Sequence, residues 1–464
     1  MQHPHRLTLV PAGDIHLWVP RSSTLRAFAT AAPDPRPVTP DQQRRLEVAG
    51  EPREVDDDVN PWIGLRATLH EADFTTFAGT LRRFCARHES LRCMFVRRPD
   101  GSFERRIVDA AQIAFQPHFL GHHDDPAEAF DAVMAELDDR TGPLSWPAAT
   151  VVTVTDEHGD ITVFAAFDHV TFDGYSAYLT MGELKQHLRD ELSHAPLPEP
   201  VGSYVDFAVE QRAVQDAIGP DDPALEPWRR AADATGDLPG LPRATGVRRG
   251  DRLRHRLRFP TFAGPRLSTA FEQWADDLGI PRALAYTAVL LQAMGAEEDD
   301  RVLTVLMSTH NRHRPEYHEA IGWFSGIVPL TVDLGRDLPL VEVVRRTAEA
   351  WRFARTAETV PLPLANSLLG TRMRPSVVLS FLESRHCPGR DDWEELNATV
   401  FLGEVEPSDE MHVYINAMPY GTELAHRSPD TPPCTEWLDR VMARMREQMT
   451  TVTRRATDPL EARR

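Results

Sequence analysis

The feature that most constrains this chain is a hairpin near its first third. AATVVTVT (148–155) and ITVFAAF (161–167) are strand-like runs joined by the polar turn DEHGD. The second run is apolar almost without interruption, the pattern of a strand covered on both faces. It therefore predicts the interior of a layered sheet. The run then stops abruptly at DHVTFDGYS, where His169 and Asp173 stand four residues apart before a helix starting near Tyr175. Two ionisable groups at the end of a buried strand imply either a satisfied loop or a proton-transfer site.

The surrounding pattern is α/β. A Pro-rich lead-in precedes the strand-like WIGLRATLH, and FTTFAGTLRRFCARHESL then carries Phe74, Phe77, Leu81, Phe84 and Cys85 at helical spacing. CMFVRR and FERRIV, around a turn at Pro99-Asp100-Gly101, read as a further hairpin, and helices are expected near 126–138 and 175–189. After 250 the style repeats. RLRHRLRF, VLTVLMS, IVPLTVDL, VVLSFL, NATVFLG and HVYINAM read as strands, among helices near 339–356 and 435–451 and an apolar one at PRALAYTAVLLQAMG. A chain of 464 residues exceeds what one core usually serves, so two lobes are expected: 1–215, a connector at 216–250, and 251–464.

Charge narrows the partners. A net charge of -19 argues against nucleic acid, whose binding rests on neutralising phosphates. Lys185 is the single lysine, and the arginines of LPRATGVRRGDRLRHRLRF (241–259) form the one basic stretch against an acidic body. That stretch reads as a solvated face or as a dock for a phosphate-bearing ligand or acidic protein. No run approaches the roughly 20 apolar residues of a membrane span, and the N-terminus has no secretory pattern, so a cytoplasmic monomer is expected. Cys85, Cys93, Cys387 and Cys434 are scattered, without a Cys-x-x-Cys pair, and read as packing residues.

His169 is the candidate base, because imidazole titrates near neutrality and is the side chain most used to carry protons. Gly174 is expected to permit the turn by taking a conformation costly for other residues. Asp173, just before a helix, is a favoured N-cap. Gly-x-Ser-x-Gly, His-Glu-x-x-His and a Walker-type loop are missing from the sequence. A metal site from Asp168, His169 and Asp173 is the competing reading, and none is expected to be bound.

Taken in order, ARHESLR (86–92), DHVTFDG (168–174), NRHRPEYHEAIGWFSGIVPL (311–330) and VVLSFLESR (377–385) resemble the condensation-domain and acyltransferase superfamily. That family includes nonribosomal peptide condensation domains, polyketide-associated acyltransferases and, more distantly, chloramphenicol acetyltransferase. The resemblance spans roughly residues 40–450. It implies two chloramphenicol-acetyltransferase-like lobes in a V, with mixed sheets covered by helices and a tunnel between them. It also implies a stand-alone enzyme.

By the same resemblance His169 is the catalytic histidine, Asp173 pairs with Arg312 rather than only capping a helix, and Gly174 shapes the loop. Asp168, Gly326 and Ser380 become candidate substrate contacts, while Trp323 and Phe324 read as core. Two positions depart from the family pattern: Asp168 stands where many condensation domains have a second histidine, and Gly326 replaces the asparagine of Phe-x-Asn.

The activity implied is transfer of an acyl or aminoacyl group from a phosphopantetheine thioester to a hydroxyl or amine. The donor would be carried by an acyl or peptidyl carrier protein or by coenzyme A, with a small-molecule acceptor and no permanently bound cofactor. Natural-product or complex-lipid assembly is the setting. A coenzyme A-dependent acetyltransferase and a non-catalytic recruiter are the alternatives.

Overall fold

The computed structural model describes residues 10–50, 61–298, 301–387 and 389–457. Two sheets dominate it. The first has six antiparallel strands in the order Thr399–Leu402, Trp62–Leu69, Ile161–Asp168, Ala149–Thr155, Gly13–Pro20 and Phe115–His123. Ile161–Asp168 lies inside it, and each of its residues is buried.

Alternation explains the nearly unbroken apolar run. Ile161, Val163, Ala165 and Phe167 pack toward Phe77, Leu81, Phe84 and Leu184 of the helices Phe74–Arg87 and Gly174–Leu192. Phe164 and Ala166 pack on the opposite face with Val133 and Leu137 of the helix Pro126–Arg140. A strand between two helical layers has no polar face to show.

The second sheet is mixed. Its path runs Thr261–Ala263, Gly421–Pro429, Met411–Met418, Val377–Glu383, Val302–His310 and Ser325–Asp333, with His255–Arg258 also on Gly421–Pro429. Val377–Glu383 is parallel to both of its neighbours. The helices Pro265–Asp277, Arg282–Glu298, Leu340–Ala354 and Pro432–Thr457 join it in one large core. Val305, Met307, Leu379, Val413 and Ile415 point into that core. The alternate residues Ser308, Ser380, His412, Tyr414 and Asn416 stay half-buried, so this sheet keeps one polar face.

The architecture is thus the α/β arrangement of mixed strands and covering helices expected from the sequence. The halves are interleaved rather than merely adjacent. Thr399–Leu402 completes the first sheet by pairing with Trp62–Leu69, and Cys387, Trp393 and Leu396 enter the first core. Residues 216–250 are packed, too: within them the helix Glu226–Ala231 buries Trp228, whose Nε1 donates to the Val360 carbonyl at 3.0 Å.

Several elements escaped the sequence patterns, among them the strands Gly13–Pro20, Phe115–His123 and Gly421–Pro429 and the helices Pro40–Gly50 and Tyr204–Asp216. The helix inside the Pro-rich lead-in has a plain cause. Thr39 and Gln42 bond reciprocally, Oγ1 accepting from the Gln42 N–H at 3.2 Å and the Gln42 side chain from the Thr39 N–H at 3.3 Å, and Pro40 begins the helix. The described residues hold no helix long and apolar enough to cross a membrane.

Candidate active site

The sheet delivers His169 to a tight corner. The strand ends at Asp168, whose N–H donates to the Ala148 carbonyl at 2.8 Å, and two successive turns follow: Thr171 N–H to the Asp168 carbonyl and Phe172 N–H to the His169 carbonyl. Phe172, wholly buried, stacks on Phe167 with centroids 4.1 Å apart and fixes the return of the chain. His169 is left at the apex, half-buried.

Asp173 makes both contacts that the sequence set against each other. Its backbone is extended (φ -127°, ψ 174°), and Oδ1 caps the helix by accepting from the Ser176 N–H at 2.8 Å and the Ser176 hydroxyl at 2.7 Å. Arg312 donates to Oδ1 and Oδ2 at 3.0 Å each. Oδ2 also accepts from the Phe324 and Ser325 N–H groups at 3.1 Å. The two roles were never exclusive, because a carboxylate has lone pairs enough for both.

Burial by itself would raise the Asp173 pKa, but the charge and hydrogen bonds of Arg312, then Ser176, hold it below the ordinary 3.8. Arg312, 2% exposed, also donates to the Ala320 carbonyl and lies over the Phe324 ring at 4.4 Å. The pair is closed to substrate.

Two expectations need correction. Gly174 is the first residue of the helix Gly174–Leu192 and has no left-handed backbone, and a Cβ there would meet nothing within 4 Å. The turn does not need its flexibility. Asp168 is fully buried and accepts from Arg45 at 3.3 and 2.5 Å and from the Val170 N–H at 2.8 Å, so it cannot reach a substrate. Arg45 comes from the unforeseen helix Pro40–Gly50. Trp323, read as core, does pack half-buried against the cluster of Tyr204, Phe207 and Phe324, and it also lies on His169 with ring centroids 4.0 Å apart and planes 30° from parallel.

The remaining candidates stand farther along the second sheet. Ser380 shares a 2.7 Å hydroxyl–hydroxyl bond with Ser308 on the polar face, rather than bonding to backbone. Gly326 pairs with Thr309, and a Cβ on it would come within 3.1 Å of the Asn311 amide and the Thr309 hydroxyl. A larger residue at 326 needs those side chains to give by a few tenths of an ångström. The arginine-rich stretch divides in two. Arg249 is a structural clamp, donating to Asp237, Asp409 and the Arg374 and Pro375 carbonyls, whereas Arg252, Arg254 and Arg256 stay exposed.

ARHESLR also gains a structural meaning. The Ser90 hydroxyl donates to the Ile321 carbonyl at 2.6 Å, and His88 Nε2 meets Glu183 at 2.7 Å. The motif thereby ties the Ile321–Phe324 loop to the first half.

Chemically, the site presents the His169 imidazole between two occupied carboxylates. Burial pushes the His169 pKa below 6.5, against the upward pull of Asp173, its own carbonyl and Asp168, with Arg45 adding to the downward push. The ring is therefore neutral at neutral pH. Its Nδ1 is buried with no partner from another described residue, which leaves Nε2 on the accessible side to accept a proton. Both Asp168 and Asp173 are spent on guanidinium groups, so the three-residue metal set weighed from sequence is not assembled.

The Condensation domain family profile matches residues 64–382. Acyltransferase PapA3 of Mycobacterium tuberculosis is 24% identical over 384 residues, covering 78% of this chain and 77% of that protein. A linear gramicidin synthase protein of Brevibacillus parabrevis is 28% identical over 313 residues, or 64% of this chain, which spans only 6% of that synthase's length. Among solved structures, PapA2 acyl transferase superposes with a TM-score of 0.83 at 19% identity, over 96% of this chain and 97% of its own. The first condensation domain of the CDA synthetase gives 0.70 at 14% identity, over 90% and 97%.

Proposed function

The chain belongs to the condensation-domain family, and on that premise we propose that it is an acyltransferase moving an acyl or aminoacyl group from a phosphopantetheine thioester to a hydroxyl or amine. A thioester is already activated, so the acceptor attacks it once its proton has somewhere to go. His169 Nε2 takes that proton as the new C–O or C–N bond forms, and passes it to sulfur as the C–S bond breaks and a thiol leaves. Neither an acyl-enzyme nor a nucleophilic serine is required.

The carrying observation is the half-buried His169, its pKa lowered by burial, beside an aspartate that is locked away from it. Were Asp173 free, it would be a competing base. Bound by Arg312, Ser176 and two backbone N–H groups, it instead builds the corner on which His169 stands.

The donor is carried either on an acyl or peptidyl carrier protein or on coenzyme A. Exposed Arg252, Arg254 and Arg256 suit an acidic carrier or a nucleotide phosphate equally. Incubating the protein with a panel of acyl thioesters and candidate acceptors, and following products by mass spectrometry, tests the activity. Condensation with some pair, and its loss by about 10²–10⁴-fold in His169→Ala, is expected. Unchanged turnover in that variant overturns the assignment. Charge reversal of the three exposed arginines separates the donors, since the form of thioester whose use collapses is the one docked there.

A further inference from the structure

An imidazole base is commonly held in one orientation by a hydrogen bond to its second ring nitrogen. No other described residue supplies one to His169: Nδ1 is buried, and the one backbone group acting on the ring is its own carbonyl. Neither nearby carboxylate can serve, since Asp168 is committed to Arg45 and Asp173 to Arg312. What the ring does have is the face of Trp323, 4.0 Å away between centroids.

The backbone carrying Trp323 is anchored on both sides. Before it, the Ile321 carbonyl accepts from Ser90 and the Gly322 N–H donates to Ser176 Oγ at 3.3 Å. After it, the Phe324 and Ser325 N–H groups donate to Asp173 Oδ2. The same aspartate that turns the chain after His169 thus also sets the indole against it.

We propose that Trp323 is a positioning residue for His169, its indole face fixing the orientation of the imidazole and stabilising the imidazolium formed when the base takes the acceptor's proton. The inference rests on His169 being the base. An aromatic face attracts a cation more strongly than a neutral ring. The stabilisation is therefore concentrated in the interval after proton transfer from the acceptor and before the proton reaches the departing sulfur, where it speeds the reaction rather than merely tightening binding. An aliphatic residue would bury the imidazole equally well and discriminate nothing. The charged groups acting on His169 are Asp173 in its own turn, Asp168 at the strand end and Arg45 from the helix Pro40–Gly50. All three remain in place when position 323 is changed.

Trp323→Leu keeps the site covered but removes the aromatic face, and Trp323→Phe keeps a smaller one. We expect the Leu variant to lower kcat about tenfold with little change in KM, and the Phe variant to retain most of the rate. In parallel, the His169 ring signal, identified by its loss in His169→Ala, is titrated by NMR. Its midpoint should move to lower pH in the Leu variant and by less in the Phe variant, a graded shift that a purely space-filling role does not produce. Trp323→Met stands in should the Leu variant not fold. If either aliphatic variant titrates and turns over like the unaltered protein, the inference is overturned. The titration needs no substrate, so it judges the contact even if no thioester is accepted; a His169→Ala protein that still turns over refutes the base assignment instead.

Discussion

Two buried aspartates bracket His169, and they are held differently. Asp168 ends the strand and is met by one arginine, Arg45, and one N–H, that of Val170, all from the first half of the chain. Asp173 starts the helix and is met by Arg312, Ser176 and the Phe324 and Ser325 N–H groups, most of them from the second half. The first pair finishes a strand; the second joins two sheets around one histidine. Site assembly therefore depends on the aspartate that bridges the halves.

The strongest way to break this contrast is Arg312→Met. Removing one partner of a buried pair leaves an uncompensated charge, at a cost of about 3–5 kcal/mol. Denaturant unfolding should show that loss, and activity should fall with it because the loop bearing Trp323 is released. Arg45→Met strips an equally buried carboxylate of its guanidinium and should also cost about 3–5 kcal/mol, but it should leave the loop bearing Trp323 in place. An equal loss of activity in the two variants at matched stability would end the distinction.

Acid sharpens it further. Asp173 is held below the ordinary carboxylate value, so its stabilisation is fully present above pH 3.8 and lost as pH falls through its folded value. Asp173→Asn should flatten the acid limb of stability, measured as unfolding free energy against pH. His169, also lowered, favours the neutral ring, so the acid limb of kcat/KM should lie below pH 6.5. A limb above that value would contradict the burial argument.

Gly174→Ala should have the smallest effect. Its Cβ enters open space at a helical backbone, so stability should rise by about 0.4–1 kcal/mol in thermal unfolding. Loss of activity without loss of stability would place substrate in that space.

Much of the first half was legible because its signal is local. The hairpin 148–167 has β-branched runs, a polar turn and a length that only a strand between layers satisfies, and DHVTFDG follows where the apolar run stops. Gly13–Pro20 was missed because GDIHLWVP mixes polar and apolar residues, and its place beside Ala149–Thr155 comes from pairing across the chain. Arg312 was found through an ordered motif. Arg45, from a helix hidden in a Pro-rich segment, was not, and neither was the use of Trp323, since an apolar aromatic in a loop reads the same whether it fills a core or faces an imidazole.

The sequence by itself determined the layered α/β plan, the buried strand and the ionisable corner at its end, because hydrophobic periodicity and turn chemistry act over a few residues. Only the tertiary structure decided that Asp168 is sealed by Arg45, that Asp173 caps and pairs at once, and that Trp323 lies on His169. Those outcomes depend on which groups meet across more than a hundred residues of chain, where desolvation selects the partner and no local pattern records the choice.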